Sequence, residues 1–398
     1  MEDLLKNIAF NGAVYFEANG QVKEYYHGYQ ELAKKQLINK NTQFNVASLS
    51  KMFTAVMTFQ LIEKGQLRLE DKMTSWFHAP HFTEVTVRHL LTHTSGIPEY
   101  IAEGVTISVE TFIEAVQPQY APNEHWSYSN TNYVLLAKII EEISGLSYET
   151  YLQTFIAEPL NLPHTTTQPL KHWEAHGQTY DYEHQQYRKV QDDLYSPEIE
   201  KYSDGYGDGG IYATVAEMAA FLKAFWQGRF LSKETVEFML TPTESAEHYG
   251  HGFIIQDEWI GHTGGWIGCS AQAFINRSTK EVIVLATNQE VFPQYEQEIM
   301  NCLMGIQHAV EAPKHVAILP VTNKDDLTGR YELADGLGTR FMIEKGVQFM
   351  ISFEHQLSVP LFKVDESYYW VRNTMSYLDV ANHLFIDEGV EVPYQPVD

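Results

Sequence analysis

The pattern of apolar positions changes several times along this chain. Ala13–Phe16 and Val22–Tyr26 are short apolar-rich runs flanking Asn19-Gly20, a dipeptide suited to the tight turn of a β-hairpin. Leu49, Met52, Phe53, Ala55, Val56, Met57, Phe59, Leu61 and Ile62 would cover nearly the whole circumference of a helix, which predicts a buried one closed by Gly65. VRHLLTHTSGIPEY, Val87 to Tyr100, reads as a helical turn running into a Gly/Pro loop. Tyr133–Ile143 predicts another mostly apolar helix, ending at Gly145. Residues 164–200 are polar, aromatic and without a period, as in a surface insertion or lid. GGIYATVAEMAAFLKAFWQG gives a Gly-rich turn, a Thr214 cap with Glu217 three residues on, and an amphipathic helix. Phe253–Gln256, Gln272–Asn276 and Glu281–Ala286 read as strands. Segment 305–325 carries two prolines and mixed polarity and reads as a linker. From Leu327 onward short strands such as RFMIE, QFMISFE and YYWVR alternate with Gly, Asp and Asn, the texture of an all-β module.

Strands early, helices in the middle and strands late predict an α+β fold. The first hairpin pairs with the late strands in one antiparallel sheet, and the helices pack to one side. At 398 residues the chain is longer than one core usually serves. The division expected is a main domain over residues 1–312 and a small antiparallel β domain over 325–398. The formal net charge of −25, from 52 acidic and 27 basic residues, argues against nucleic acid or an anionic membrane surface as a partner. Two cysteines, Cys269 and Cys302, make no disulfide framework. No run of ~18 apolar residues predicts a membrane span. The N-terminus lacks a basic region followed by an apolar stretch. The sequence as it stands therefore reads as cytoplasmic, though an exported protein read after removal of its leader would look the same. Oligomeric state is not legible.

The chemistry begins with an anomaly. Ser48 stands at the predicted start of the buried helix, and Lys51 follows three residues later, where the helix macrodipole disfavours positive charge. Residues three apart share a helix face, so the two side chains meet. A serine needs a base to become a nucleophile. Burial and the positive helix end both ease the loss of a lysine proton. A second group, Tyr128-Ser129-Asn130, precedes an apolar helix. A phenol beside an ammonium can relay a proton, and an Asn side chain offers a donor and an acceptor to a substrate amide. A third, His262-Thr263-Gly264, lies at a strand edge where small residues admit a ligand backbone. Each alone also has a plain structural reading: a lysine reaching solvent, a core tyrosine with a capping Asn, a glycine-rich turn.

Taken together and in this order, Ser-x-x-Lys, Tyr-x-Asn and His-Thr-Gly resemble the motif set of the serine β-lactamase and penicillin-binding-protein superfamily. The Tyr-Ser-Asn version is most similar to class C β-lactamases, D-alanyl-D-alanine carboxypeptidases of that branch and related esterases. The similarity runs from about Phe10 to Gln307 and includes RHLLTHTSGIP, AEPLNLPHT and GDGGIYATVAEMAAF. The resemblance implies an antiparallel sheet flanked by helices with an inserted, mainly helical lobe. It implies Ser48 as the acylated nucleophile, Lys51 as general base and Tyr128 as a second acid/base. Asn130, His262, Thr263 and Gly264 would bind substrate, and the backbone N–H groups of Ser48 and Gly265 would form the oxyanion hole. His262 stands where many relatives have Lys, facing the substrate carboxylate or the Tyr128 oxygen; a largely neutral imidazole there disfavours carboxylate-bearing β-lactams and fits the peptidase and esterase side. No cofactor and no metal is implied. Glu158, in a segment like the deacylating Glu loop of class A enzymes, and the His89-x-x-x-His93 spacing are both read as structural. The expected activity is serine hydrolysis of an ester or a D-amino-acid-containing peptide or amide. The alternatives are a cell-wall carboxypeptidase or penicillin-binding protein with weak β-lactamase activity, and an acylated sensor that does not turn over.

Overall fold

The Asn19-Gly20 hairpin and the late apolar strands form one sheet. Strands β1 (Gly12–Ala18), β2 (Gln21–His27), β3 (Ile254–Gln256), β4 (Trp259–Trp266), β5 (Cys269–Asn276) and β6 (Val282–Thr287) lie in the order β2-β1-β6-β5-β4-β3. Every neighbouring pair is antiparallel. The structure, a computed structural model, describes residues 5, 10–31, 34–100, 108–181, 186–189, 207–243, 245–246, 248–266, 268–289, 299–300, 327–335, 339–345, 349–353, 359–371, 376–387 and 390–397. All six residues of β6 are buried, so both faces of the sheet are covered there.

The principal helices are α1 (Ser50–Glu63), α2 (Val87–Thr92), α3 (Asn130–Ser144) and α4 (Val215–Trp226). Residues Ser50 to Leu61 of α1 are all buried, as the all-round apolar pattern requires. α4 packs across β1, β5 and β6. Its Phe221 stacks on Phe53 of α1 at 3.8 Å, and its Phe225 on Phe253 at 4.3 Å. α3 stops where the pattern predicts, at Gly145, which takes the left-handed φ of +68° that closes a helix at little cost only in glycine.

The His262-Thr263-Gly264 segment lies on a strand as expected, the eight-residue β4, where neighbouring backbone comes close to Gly261 and Gly264. Two expectations need correction. Ser48 does not cap α1: it sits in a separate 3-10 turn, Ala47–Leu49, and no side-chain cap bond is made. Thr214 does cap α4, accepting from the Glu217 N–H, but the Glu217 carboxylate does not return to the cap. It takes the backbone N–H of His164 and the hydroxyl of Thr165 instead, tying the Leu-Pro-His loop to α4. The 305–325 segment and much of the 164–200 insertion lie outside the described residues.

The chain divides into two compact units, the first comprising Met1–Pro98, Ile107–Thr179 and Glu198–Glu290, and the second including Val291–Asp398. Within the second, eight strands from Gly329–Leu333 to Val390–Val397 close into an antiparallel barrel, the first strand pairing with both the second and the last. Alternate residues, among them Phe341, Ile343, Phe349 and Ile351, fill its interior, as expected of an eight-stranded barrel without a channel.

Among the described residues four histidines of the first unit are buried; His89, at 8% exposure, is the shallowest, and the other three lie deeper, in the neutral form. His93, His251 and His262 are 0%, 3% and 1% exposed, and burial pushes all three below the ordinary imidazole range, His251 to about 4 and His262 to about 3. Between pH ~6.5 and ~4 the unfolded chain therefore holds more protons than the folded one, so stability falls as pH drops. Each group contributes up to ~1.4 kcal/mol per pH unit. His251, packed against Phe59 and Phe238, is the separable one. His251→Phe is expected to flatten the acid limb of a denaturant-midpoint profile by about one proton; an unchanged slope would mean that the ring is not buried neutral.

Candidate active site

The site lies entirely within the first unit and is built from five pieces of chain. Ser48 comes first. Ala47, before it, has a left-handed φ of +47°, which costs a non-glycine residue about 1–2 kcal/mol. The Asn45 Oδ1 holds the Ala47 N–H at 2.8 Å, and the Val46 N–H donates to the Ile211 carbonyl at 2.9 Å. This kink leaves Ser48 half-buried while Lys51, one turn on, is fully buried.

Lys51 is the hub. Its Nζ lies 3.0 Å from Ser48 Oγ, 2.6 Å from Asn130 Oδ1 and 2.7 Å from the Asp208 carbonyl. Asn130 is the first residue of α3 and Asp208 lies in the Gly207–Gly210 turn, so two remote segments converge on one nitrogen. The Tyr128 ring packs 4.8 Å from the same Nζ and the Tyr133 ring 5.7 Å. Both rings present a π surface to a cation removed from water.

Behind Tyr128 stands His93, at the C-terminal end of α2 with φ +57°. The rings lie 4.4 Å apart at 33°. The Ser129 N–H donates to His93 Nδ1 at 3.2 Å, which fixes the backbone of the Tyr-Ser-Asn segment. His89, four residues earlier, turns to other partners: its Nδ1 accepts from the Thr86 N–H, and its Nε2 meets Asn123 Nδ2 at 2.8 Å. Glu158 is exposed in a short helix, Glu158–Leu160.

β4 forms the fourth wall. Thr263 and Gly265 face outward and are exposed, while His262 and Gly264 are buried. A Cβ on Gly264 would meet the Val46 carbonyl and stand 3.0 Å from the Ser48 nitrogen; on Gly265 it would meet nothing within 4 Å. The strand therefore lies directly against the Ala47–Leu49 turn. β3 covers β4 only as far as Gly261, so the edge carrying Thr263–Gly265 is not paired with β3.

The structure places His262 differently from the sequence expectation. Its ring does not open onto the outward face of β4. Nδ1 lies 2.5 Å from the Thr263 carbonyl, and Nε2 lies 3.1 Å from the hydroxyl of buried Tyr249. Burial first, and the Lys51 charge second, hold the ring neutral. Ser48, Lys51, Asn130 and the Tyr128 ring are thus brought together, while His262 stands one layer back. Asp208, His93 and Tyr249 were not picked out as members of the site. The Gly207–Gly210 run and the His-Thr-Ser-Gly loop were visible as motifs, but a backbone carbonyl carries no sequence signal. Tyr249 has none either.

The β-lactamase family profile matches residues 3–299. The chain belongs to the β-lactamase family. It is 31% identical to penicillin-binding protein 4* of Bacillus subtilis, with 93% of this chain and 90% of that protein covered. It is 27% identical to the teichoic acid D-alanine hydrolase of Staphylococcus aureus, over 72% of each. The D-amino acid amidase of Ochrobactrum anthropi, solved with D-phenylalanine, shares the β-lactamase-like fold at a TM-score of 0.65 and 22% identity, over 76% of this chain and 98% of that one. The α+β fold with a C-terminal β barrel and the β-lactamase-related hydrolase reading stand on these findings together. Among the described residues, no helix is long and apolar enough to cross a membrane.

Proposed function

We propose that this chain hydrolyses esters or amides of D-amino acids through an acyl-enzyme on Ser48. The observation that carries the reading is the set of three contacts at Lys51 Nζ. The Asn130 Oδ1 and the Asp208 carbonyl only accept, so each takes one N–H. The third direction points to Ser48 Oγ, and it suits either protonation state. As an ammonium, Lys51 donates a third hydrogen to Oγ. As an amine, it turns a lone pair there and receives the serine proton. Burial eases the loss of the ammonium proton, and the second arrangement is the one that acylates.

In this reading Ser48 Oγ attacks the substrate carbonyl as its proton passes to Lys51. The N–H groups of Ser48 and Gly265 stabilise the oxyanion, each worth ~2.7–4 kcal/mol where such donors are preorganised. Tyr128 assists proton transfer to the leaving group. Water then cleaves the acyl ester and restores the hydroxyl. Asn130 and Thr263 orient the substrate. The D-amino-acid preference is taken from the relatives, one named as a D-alanine hydrolase and one as a D-amino acid amidase.

The test is covalent trapping. Incubation with a fluorophosphonate or a p-nitrophenyl ester should add one adduct mass, mapping to the Ser48 peptide and lost in Ser48→Ala. An adduct that persists in the variant would end this reading.

A further inference from the structure

The Asp208 carbonyl that meets Lys51 sits in a turn with left-handed glycines on either side of it, Gly207 at φ +85° and Gly210 at φ +79°. Glycine sterics leave the direction of such a carbonyl open, so something else must set it. The far end of the turn is tied at Ile211, whose carbonyl accepts from the Val46 N–H at 2.9 Å and whose N–H donates to Ser50 Oγ at 3.2 Å. The near end is tied by Thr54, three residues beyond Lys51 on α1. Thr54 Oγ1 lies 2.6 Å from the Gly207 carbonyl, 2.7 Å from the Tyr148 hydroxyl and 3.3 Å from the Ser50 carbonyl. Carbonyls only accept, and a hydroxyl has one hydrogen, which goes to the shorter contact at Gly207. Tyr148, in the short helix Tyr148–Leu152, must then donate to Thr54 Oγ1. Both side chains are fully buried, so no solvent competes for either bond. On its other side Gly207 is pressed against α3: a Cβ there would stand 2.5 Å from the Ala137 Cβ and 2.7 Å from the Tyr133 carbonyl. Gly207 is clasped between α3 and the Thr54 hydroxyl, and the very next carbonyl is the one on Lys51.

We infer that Thr54 is a positioning residue for acylation: its hydroxyl fixes the Gly207–Asp208 peptide, and through the Asp208 carbonyl it sets the rotation of the Lys51 amine toward Ser48. This rests on the acyl-enzyme reading above, in which the serine proton crosses from Oγ to Nζ. A neutral amine has two N–H groups and one lone pair. With one N–H on Asn130 Oδ1 and the other on the Asp208 carbonyl, the lone pair is left facing Ser48 Oγ. Two acceptors define that direction, whereas with Asn130 alone the amine turns about its Cε–Nζ bond. Releasing the Gly207 carbonyl lets the peptide after it tilt, and the second acceptor goes with it. Thr54 touches neither Nζ nor Oγ in this arrangement and acts only through the turn. Thr58, one turn further along α1, is the internal contrast. Its hydroxyl is equally buried and donates at 2.8 Å to the Thr54 carbonyl, within the helix.

The experiment measures pre-steady-state acylation of the full chain by a p-nitrophenyl ester, separating the acylation rate constant from the substrate dissociation constant, with each variant's melting temperature recorded beside it. Thr54→Val keeps the shape and removes the hydroxyl. Its acylation constant is expected to fall ~10–10²-fold, the scale of a misplacement of up to ~1 Å, while the dissociation constant stays within about threefold. Thr54→Ser, which restores the donor, should recover most of the rate. Thr58→Val should lower the melting temperature by a similar amount and acylate within about threefold of wild type, since it loses a buried hydroxyl of the same kind without touching the turn. If the valine variant does not fold, Thr54→Ala removes the hydroxyl without setting a methyl against the Gly207 carbonyl, and the same slowing is expected of it. A folded Thr54→Val or Thr54→Ala variant that acylates at near wild-type speed would overturn the inference. So would a Thr54→Ser variant as slow as these, or equal slowing by Thr58→Val, which would make the effect a general loosening of α1. A wild-type chain that forms no Ser48 adduct would instead remove the acyl-enzyme reading itself, whereas an adduct formed equally fast in wild type and Thr54→Val removes the positioning role alone.

Discussion

Lys51→Arg is expected to acylate ~10²–10⁴ times more slowly than wild type, the range for loss of a general base. The substitution keeps the positive charge and removes the ability to lose it, since a guanidinium stays protonated in proteins. It also replaces a tetrahedral nitrogen by a planar fork. The three acceptors at Ser48, Asn130 and Asp208 surround one atom, at 3.0, 2.6 and 2.7 Å, and a guanidinium cannot put a single nitrogen at their centre. The larger group enters a fully buried position, so ~1–3 kcal/mol of overpacking is expected as well. The measurement is the pre-steady-state rate of ester acylation at a temperature where the variant is shown to be folded. A near wild-type rate would make Lys51 a structural cation.

Gly264→Ala is expected to lower kcat by ~10²-fold with a smaller change in KM. Its Cβ would press on the Val46 carbonyl and approach the Ser48 nitrogen to 3.0 Å, and both are backbone atoms with no side chain able to swing away. β4 and the Ala47–Leu49 turn must then separate. A shift of about 1 Å between nucleophile and oxyanion donors is enough for a loss of that size. Overpacking should cost ~1–3 kcal/mol in stability. Gly265→Ala is the control for stability, because its Cβ would meet nothing within 4 Å and the melting temperature should stay put. Equal destabilisation by both would show that the strand is not seated against the Ala47–Leu49 turn.

Much of this architecture was legible because the periods are clean. The Asn-Gly hairpin, the all-round apolar run of α1 and the Gly145 stop each carry a local cause, and each formed as read. β4 was legible only as a strand edge at His262–Gly264, because Gly261, Gly264 and Gly265 suppress β propensity along the rest of it. The motif residues pointed to one site, yet the partners that orient them were silent. The Asp208 carbonyl is a backbone group, and His93 and Tyr249 are ordinary residues until the fold brings them against Tyr128 and His262. Glu217 shows a further limit. A Thr-x-x-Glu pattern predicts reciprocal capping, but the His164 and Thr165 donors, brought close by the tertiary fold, outcompeted the local one.

The position of β1 sets an order of events during synthesis. Asn11 and Asn288, 277 residues apart, hydrogen-bond side chain to side chain at 2.6 Å, and β1 pairs with β6 along its length. At ~5–20 residues per second a ribosome needs roughly a quarter of a minute to a minute between the two. The first hairpin therefore emerges long before its partner exists. Its outer strand carries Lys23 and Glu24, exposed charges of the kind that discourage pairing with another chain. The inner edge of β1, with Ala13 and Val14 destined for burial, stays open until Val282–Thr287 has left the ribosome, so closure of the sheet in the first unit has to await nearly three quarters of the chain.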